Sequence, residues 1–120
     1  MAAFQVTKEN FDRLVTESSG VVMLDFWSSG CGPCRAMMPT VERLAAEHPD
    51  KGFGAVNVDE EPEVAWAFKV MAVPAIVVFK DGNVVADAFG YQTKAALERL
   101  LDEAAAWERS GGEAQGSSLA

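Results

Sequence analysis

The chain has 120 residues and a formal net charge of -8, with 49% of residues hydrophobic and 23% charged. A chain of this length forms one domain that buries about two-thirds of its unfolded surface, so no covalent staples are needed for a core. The acidic balance argues against nucleic acid and membrane surfaces as partners, because phosphate binding takes Lys and Arg.

Met1 to Glu9 lacks a basic start followed by a long apolar stretch, so no signal peptide is expected and the expected location is cytoplasmic. No apolar run approaches the length of a membrane span. Phe4 to Val6 reads as a short edge strand. Thr7 is placed to cap a helix over Glu9 to Glu17, with Phe11, Leu14 and Val15 on one face. Ser18-Ser19-Gly20 ends it. Val21 to Trp27 is nearly all apolar and rich in branched and aromatic residues, the pattern of a buried central strand. Cys31 to Glu47 reads as a helix with Pro39 inside it, closed by His48-Pro49. Gly54 to Asp59 alternates like a strand, and Pro62 to Phe68 reads as a short helix opened by proline.

Ala75 to Phe79 is a second buried strand. Asp81-Gly82 is a hairpin turn signal, with Asn83 to Phe89 as the returning strand. Thr93 should cap a last helix from Lys94 to about Trp107, with Leu97, Leu100, Leu101 and Ala104 as its apolar stripe. Strands joined through helices should be parallel and the hairpin antiparallel. The expected fold class is therefore α/β, a mixed central sheet with helices on both faces. Residues 1–109 would form the domain, and the small, polar residues 110–120 a disordered tail.

The chain has only two cysteines, in Cys31-Gly32-Pro33-Cys34. A disulfide closing so short a loop constrains the unfolded chain little, which favours reactivity over stapling. Half a zinc site, a chance pair or a minor structural bridge are the alternatives. Zinc takes about four ligands, and His48 is the only histidine, so no metal is expected. At the start of a helix, exposed N–H groups and the helix dipole stabilise a thiolate, preferentially at the earlier cysteine. Cys31 is thus the expected nucleophile and Cys34 the resolving thiol.

Asp25-Phe26-Trp27, Cys31-Gly32-Pro33-Cys34-Arg35, Pro39, Val56-Asn57-Val58-Asp59, Val73-Pro74, Phe79-Lys80-Asp81-Gly82 and Gly90 come in an order that resembles the thioredoxin family. The resemblance covers Phe4 to Ala106. It implies the thioredoxin fold and a protein-disulfide reductase that binds no cofactor of its own. Its redox-active Cys31–Cys34 disulfide would be recycled by a thioredoxin reductase that uses NADPH. It also implies a monomer acting on oxidised target proteins. Within the site it implies that Asp25 is a buried acid assisting Cys34 and that Pro74 is a cis-proline beside the disulfide. Trp27, Gly32, Pro33, Val73, Pro74 and Gly90 would bind substrate, with the Val73 backbone pairing to a target segment. Three positions depart from the family pattern. Gly30 stands where thioredoxins usually carry Trp, Ala55 where a lysine lies near the buried acid, and Ala75 where Thr often follows the cis-proline. A specialised oxidoreductase with few partners and a non-catalytic docking subunit are the competing functions.

Overall fold

The computed structural model describes residues 3–108. The expected tail at 110–120 lies outside the described residues. Five strands form one sheet in the order β1-β3-β2-β4-β5. They are β1 (Phe4–Gln5), β2 (Val21–Trp27), β3 (Gly52–Asn57), β4 (Ala75–Lys80) and β5 (Asn83–Phe89). β3 runs parallel to both β1 and β2, while β4 is antiparallel to β2 and to β5. The helices are α1 (Gly32–Glu47), α2 (Pro62–Ala67) and α3 (Lys94–Ala106). Among the described residues, no helix is long and apolar enough to cross a membrane.

β2 divides the interior, because successive strand residues point to opposite faces. Val21 and Met23 join Ile76 and Val78 on one face, under Met37, Val41 and Leu44 of α1 and Leu97 and Leu101 of α3. Val22, Leu24 and Phe26 face the other way, with Val15 and with Val64 and Ala65 of α2. Both faces of the sheet are therefore covered. Phe11, Phe68 and Phe79 close the second core as a cluster with ring centroids 5.3 to 6.0 Å apart.

Two expected boundaries shift for local reasons. Thr7 N–H donates to Asn10 Oδ1 at 2.8 Å, and Asn10 N–H donates to Thr7 Oγ1 at 3.3 Å. This exchange makes residues 8–10 a turn, since short polar side chains compete with helix bonding. The turn leads into a π-helical segment, Asp12–Thr16, closed by a 2.8 Å bond from Glu17 N–H to the Asp12 carbonyl. β3 starts at Gly52 because its pairing with β2 extends back to Val22. It stops before Asp59, whose N–H turns onto Asn57 Oδ1 at 3.0 Å. The last helix matches expectation: Thr93 Oγ1 accepts from Ala96 N–H at 3.1 Å. Lys80 Nζ donates to the carbonyls of Ala105 and Trp107, satisfying the helix's C-terminal end.

The hairpin and the turn before β2 are tied together. Asp81 N–H donates to the Gly20 carbonyl at 2.9 Å, and Gly20 N–H donates to Asp81 Oδ1 at 2.7 Å. Gly20 and Gly82 both have positive φ, +82° and +83°. A Cβ at Gly82 would collide with the Thr16 carbonyl, whereas one at Gly20 meets nothing within 4 Å. Gly20→Ala should therefore cost only the left-handed backbone penalty of about 1–2 kcal/mol. Gly82→Ala should lose a further ~1–3 kcal/mol from overpacking. Urea denaturation of the two variants measures the difference, and equal midpoints would show that the Thr16 contact is unimportant.

Candidate active site

The site forms at one end of the sheet. β2 ends at Trp27, whose carbonyl accepts from Val58 N–H at 2.9 Å, and residues 28–31 then turn the chain into α1. Arg35 Nη1 braces that turn by donating to the Ser29 carbonyl at 2.8 Å. Cys31 is the N-cap of α1 with extended φ/ψ of -101° and 109°, and Pro33 lies in the first turn, where a missing N–H costs nothing.

Cys31 and Cys34 are joined as a disulfide across one helical turn, with Cα atoms 5.2 Å apart. The two sulfurs differ in surroundings. Cys34 is fully buried, while Cys31 is partly exposed between the exposed residues Gly30 and Gly32. Cys34 N–H donates to Cys31 Sγ at 3.1 Å. The Cys31 sulfur thus occupies the capping position that a Ser or Asp oxygen would take, where the helix N-terminus favours negative charge.

Asp25 is the only buried charged side chain among the described residues. It lies on the sheet face that α1 covers, since it pairs in register with Ile76 beside Met23 and Met37 of the same core. Its other cross-strand neighbour is Ala55, so no cation stands opposite it in the register. Neither carboxylate oxygen has a hydrogen-bond partner among the described residues. Burial alone pushes its pKa from 3.8 up to about 7.

The Val73–Pro74 peptide bond is cis, and Ala75 directly after it pairs with Phe26 of β2. Pro74 is buried, and Val73 is half-buried. Gly90, at φ +88°, donates its N–H to the Pro74 carbonyl at 2.8 Å, which brings these two expected site residues together. Gly32, Pro33 and Gly90 are exposed, and Trp27 is half-buried. Four exposed apolar residues were not singled out as site residues by the sequence pattern: Trp66, Met71, Phe89 and Tyr91. Nothing in their spacing separates them from core positions; only their surroundings do. Away from this end, ligand atoms of Glu47, His48 and Glu98 lie within 4.8 Å of one another. Lys94 Nζ already supplies a positive charge there, 2.9 Å from Glu47.

A disulfide between a partly exposed cysteine that caps a helix N-terminus and a fully buried one defines a class: a thiol–disulfide oxidoreductase, whose own cysteine pair exchanges with other disulfides. Comparison with known proteins narrows that class. The thioredoxin family model matches residues 2–103. The chain is 41% identical over 104 residues to a thioredoxin of Staphylococcus haemolyticus, covering 86% of this chain and 98% of that protein. It is 40% identical over 98 residues to a thioredoxin of Chlamydia pneumoniae, covering 82% of this chain and 94% of that one. The chain belongs to the thioredoxin family, and no bound cofactor is needed for its cysteine chemistry.

The raised pKa of Asp25 has a definite sign in stability. Below pH 3.8 the carboxyl is protonated in both the folded and unfolded chain, so it contributes no pH dependence. Between there and about 7 the unfolded chain ionises first, and stability falls as pH rises; above about 7 the loss is complete. That loss is on the order of 4 kcal/mol. Asp25→Asn should therefore be more stable than the parent at pH 8, by about 1–3 kcal/mol because the amide still lacks partners. The gain should all but vanish toward pH 3, where the parent carboxyl is mostly protonated in both states. A variant equally destabilised at both pH values would contradict the uncompensated burial of Asp25.

Proposed function

We propose that this chain is a protein-disulfide reductase in which Cys31 attacks and Cys34 resolves. The observation that carries the assignment is the pairing of a partly exposed Cys31, its sulfur held against the Cys34 N–H, with a fully buried Cys34. In the reduced protein the Cys31 thiolate attacks one sulfur of a target disulfide. The other target sulfur leaves as a thiolate, and a mixed disulfide joins Cys31 to the target. Cys34 then loses its proton and attacks Cys31 Sγ. The target departs with both cysteines reduced, and the Cys31–Cys34 disulfide remains. Asp25, on the face toward the helix that carries Cys34, is the group suited to accept that proton, because its pKa lies near neutrality.

Target docking would use the apolar surface formed by Trp27, Gly32, Pro33, Val73, Pro74 and Gly90. An extended target segment would pair with the Val73 backbone as an added strand. A thioredoxin reductase drawing electrons from NADPH would return the disulfide to the dithiol, and the protein would work as a cytoplasmic monomer.

A trapping experiment tests the assignment. Cys34→Ser keeps the attacking thiol and lacks the resolving one. It should accumulate mixed disulfides with an oxidised protein such as insulin, released by dithiothreitol. Cys31→Ser should trap about tenfold less or lower still, since thiolate exchange needs access. Equal trapping by both variants, read on non-reducing gels, would reverse or remove the proposed roles.

A further inference from the structure

Cys31 is reached through the turn Ser28-Ser29-Gly30, three small residues with no apolar side chain to anchor them in the core. Gly30 is the loosest joint of this turn. It is exposed, it is not at positive φ, and a Cβ there would meet no atom beyond its chain neighbours within 4 Å. No side chain limits its backbone, and glycine loses more conformational freedom on folding than any other residue. What fixes Gly30 is the pair of peptide planes on either side of it. Each plane is rigid, so holding one of its atoms holds the whole plane.

Among the described residues, one hydrogen bond holds each plane. After Gly30, Cys31 N–H donates to the Ser28 carbonyl at 3.3 Å, which is long for an N–H···O bond. Before Gly30, the Ser29 carbonyl accepts from Arg35 Nη1 at 2.8 Å. Arg35 also holds Cys31 from the far side, since its own N–H donates to the Cys31 carbonyl at 3.2 Å. No carboxylate among the described residues forms an ion pair with the guanidinium. Its firm partner is therefore a backbone oxygen, and the planar fork makes that bond at little cost in side-chain freedom. One residue thus clamps the chain both before Gly30 and after Cys31.

We infer that Arg35 is a positioning residue, which by fastening the peptide before Gly30 holds the turn that keeps the Cys31 sulfur against the Cys34 N–H. Its importance rests on Cys31 being the attacking thiol, as proposed above. In the disulfide form the S–S bond itself ties Cys31 to Cys34. Once that bond is reduced, the turn and the helix start alone set where the Cys31 sulfur lies. A freed Gly30 would let Cys31 swing away from the helix start, and its thiolate would lose the N–H groups and the dipole that favour it. The guanidinium also carries a charge, and a charge can favour a thiolate with no brace at all. Salt separates the two effects, because it screens an exposed charge and leaves a hydrogen-bonded backbone in place.

The test follows alkylation of the reduced full chain by iodoacetamide as a function of pH, in low salt and in about 1 M KCl, where the Debye length is only about 3 Å. The attacking thiolate displaces iodide and forms a thioether, and mass spectrometry shows which cysteine carries the label. Arg35→Met keeps an unbranched stem and removes both the donor and the charge. In high salt it should raise the pH midpoint of Cys31 labelling by about half a pH unit, the size expected when one glycine regains its freedom. Gly30→Ala fits the observed backbone and stiffens it without Arg35. In Arg35→Met/Gly30→Ala the midpoint should therefore return most of the way, whereas Gly30→Ala in the parent should leave it in place. A shift confined to low salt, no shift at either salt, or a shift that Gly30→Ala fails to reverse overturns the brace. Labelling of Cys34 ahead of Cys31 in the parent overturns the attacking-thiol reading instead.

Discussion

The hydrogen bond from Cys34 N–H to Cys31 Sγ, at 3.1 Å, is the contact on which the rest of the site depends. It exists because a buried strand ends at Trp27 and a helix begins at Gly32, leaving Cys31 as the cap. The first N–H groups of any helix lack partners inside the helix. Here one of them is aimed at a sulfur, so folding itself supplies the stabilisation that a thiolate needs. The same turn carries Cys34 into the core, where it is sealed from solvent. The position of the helix start thereby sets both accessibility and charge preference for the pair.

Asp25 carries the cost of this arrangement. A carboxyl group with no partner for either oxygen among the described residues, opposite Ala55 and Ile76, destabilises the fold whenever it is ionised. The surrounding core is extensive enough to hold it: the sheet buries apolar side chains on both faces. With no cation across the strand, burial alone sets its pKa at about 7, which is where a group that exchanges protons with a thiol is useful. A lysine at position 55 would offset the burial and move the carboxyl toward its ordinary range.

Much of this was legible in the sequence because the periodicities are strong. The apolar run Val21 to Trp27, the Asp81-Gly82 turn and the Thr93 cap each dictate a local geometry, and each appears where expected. The segment after Thr7 was less legible. Its Phe11, Leu14 and Val15 pattern fits a helix, but Thr7 and Asn10 bond to each other and only a π-helical segment remains. In the site, the cysteine pair was readable from residue type and spacing, and the burial of Asp25 was implied by the resemblance. The exposure of Phe89 and Tyr91 was not, because an aromatic at a strand end looks the same whether the fold covers it or leaves it at an edge. Gln92 N–H reaches Met37 Sδ at 3.4 Å across 55 positions, and no local pattern announces such a contact.

In the reduced protein Cys31, whose sulfur faces the N–H groups of the helix start, should be the more acidic of the two thiols. Thiolate absorbance in the ultraviolet, followed against pH in the reduced protein and in Cys34→Ser, measures this directly. The Cys31 transition should fall clearly below the free-thiol value of about 8.5 and persist in Cys34→Ser. A Cys31 transition at or above that value, or a low transition that is lost in Cys34→Ser, would contradict the account.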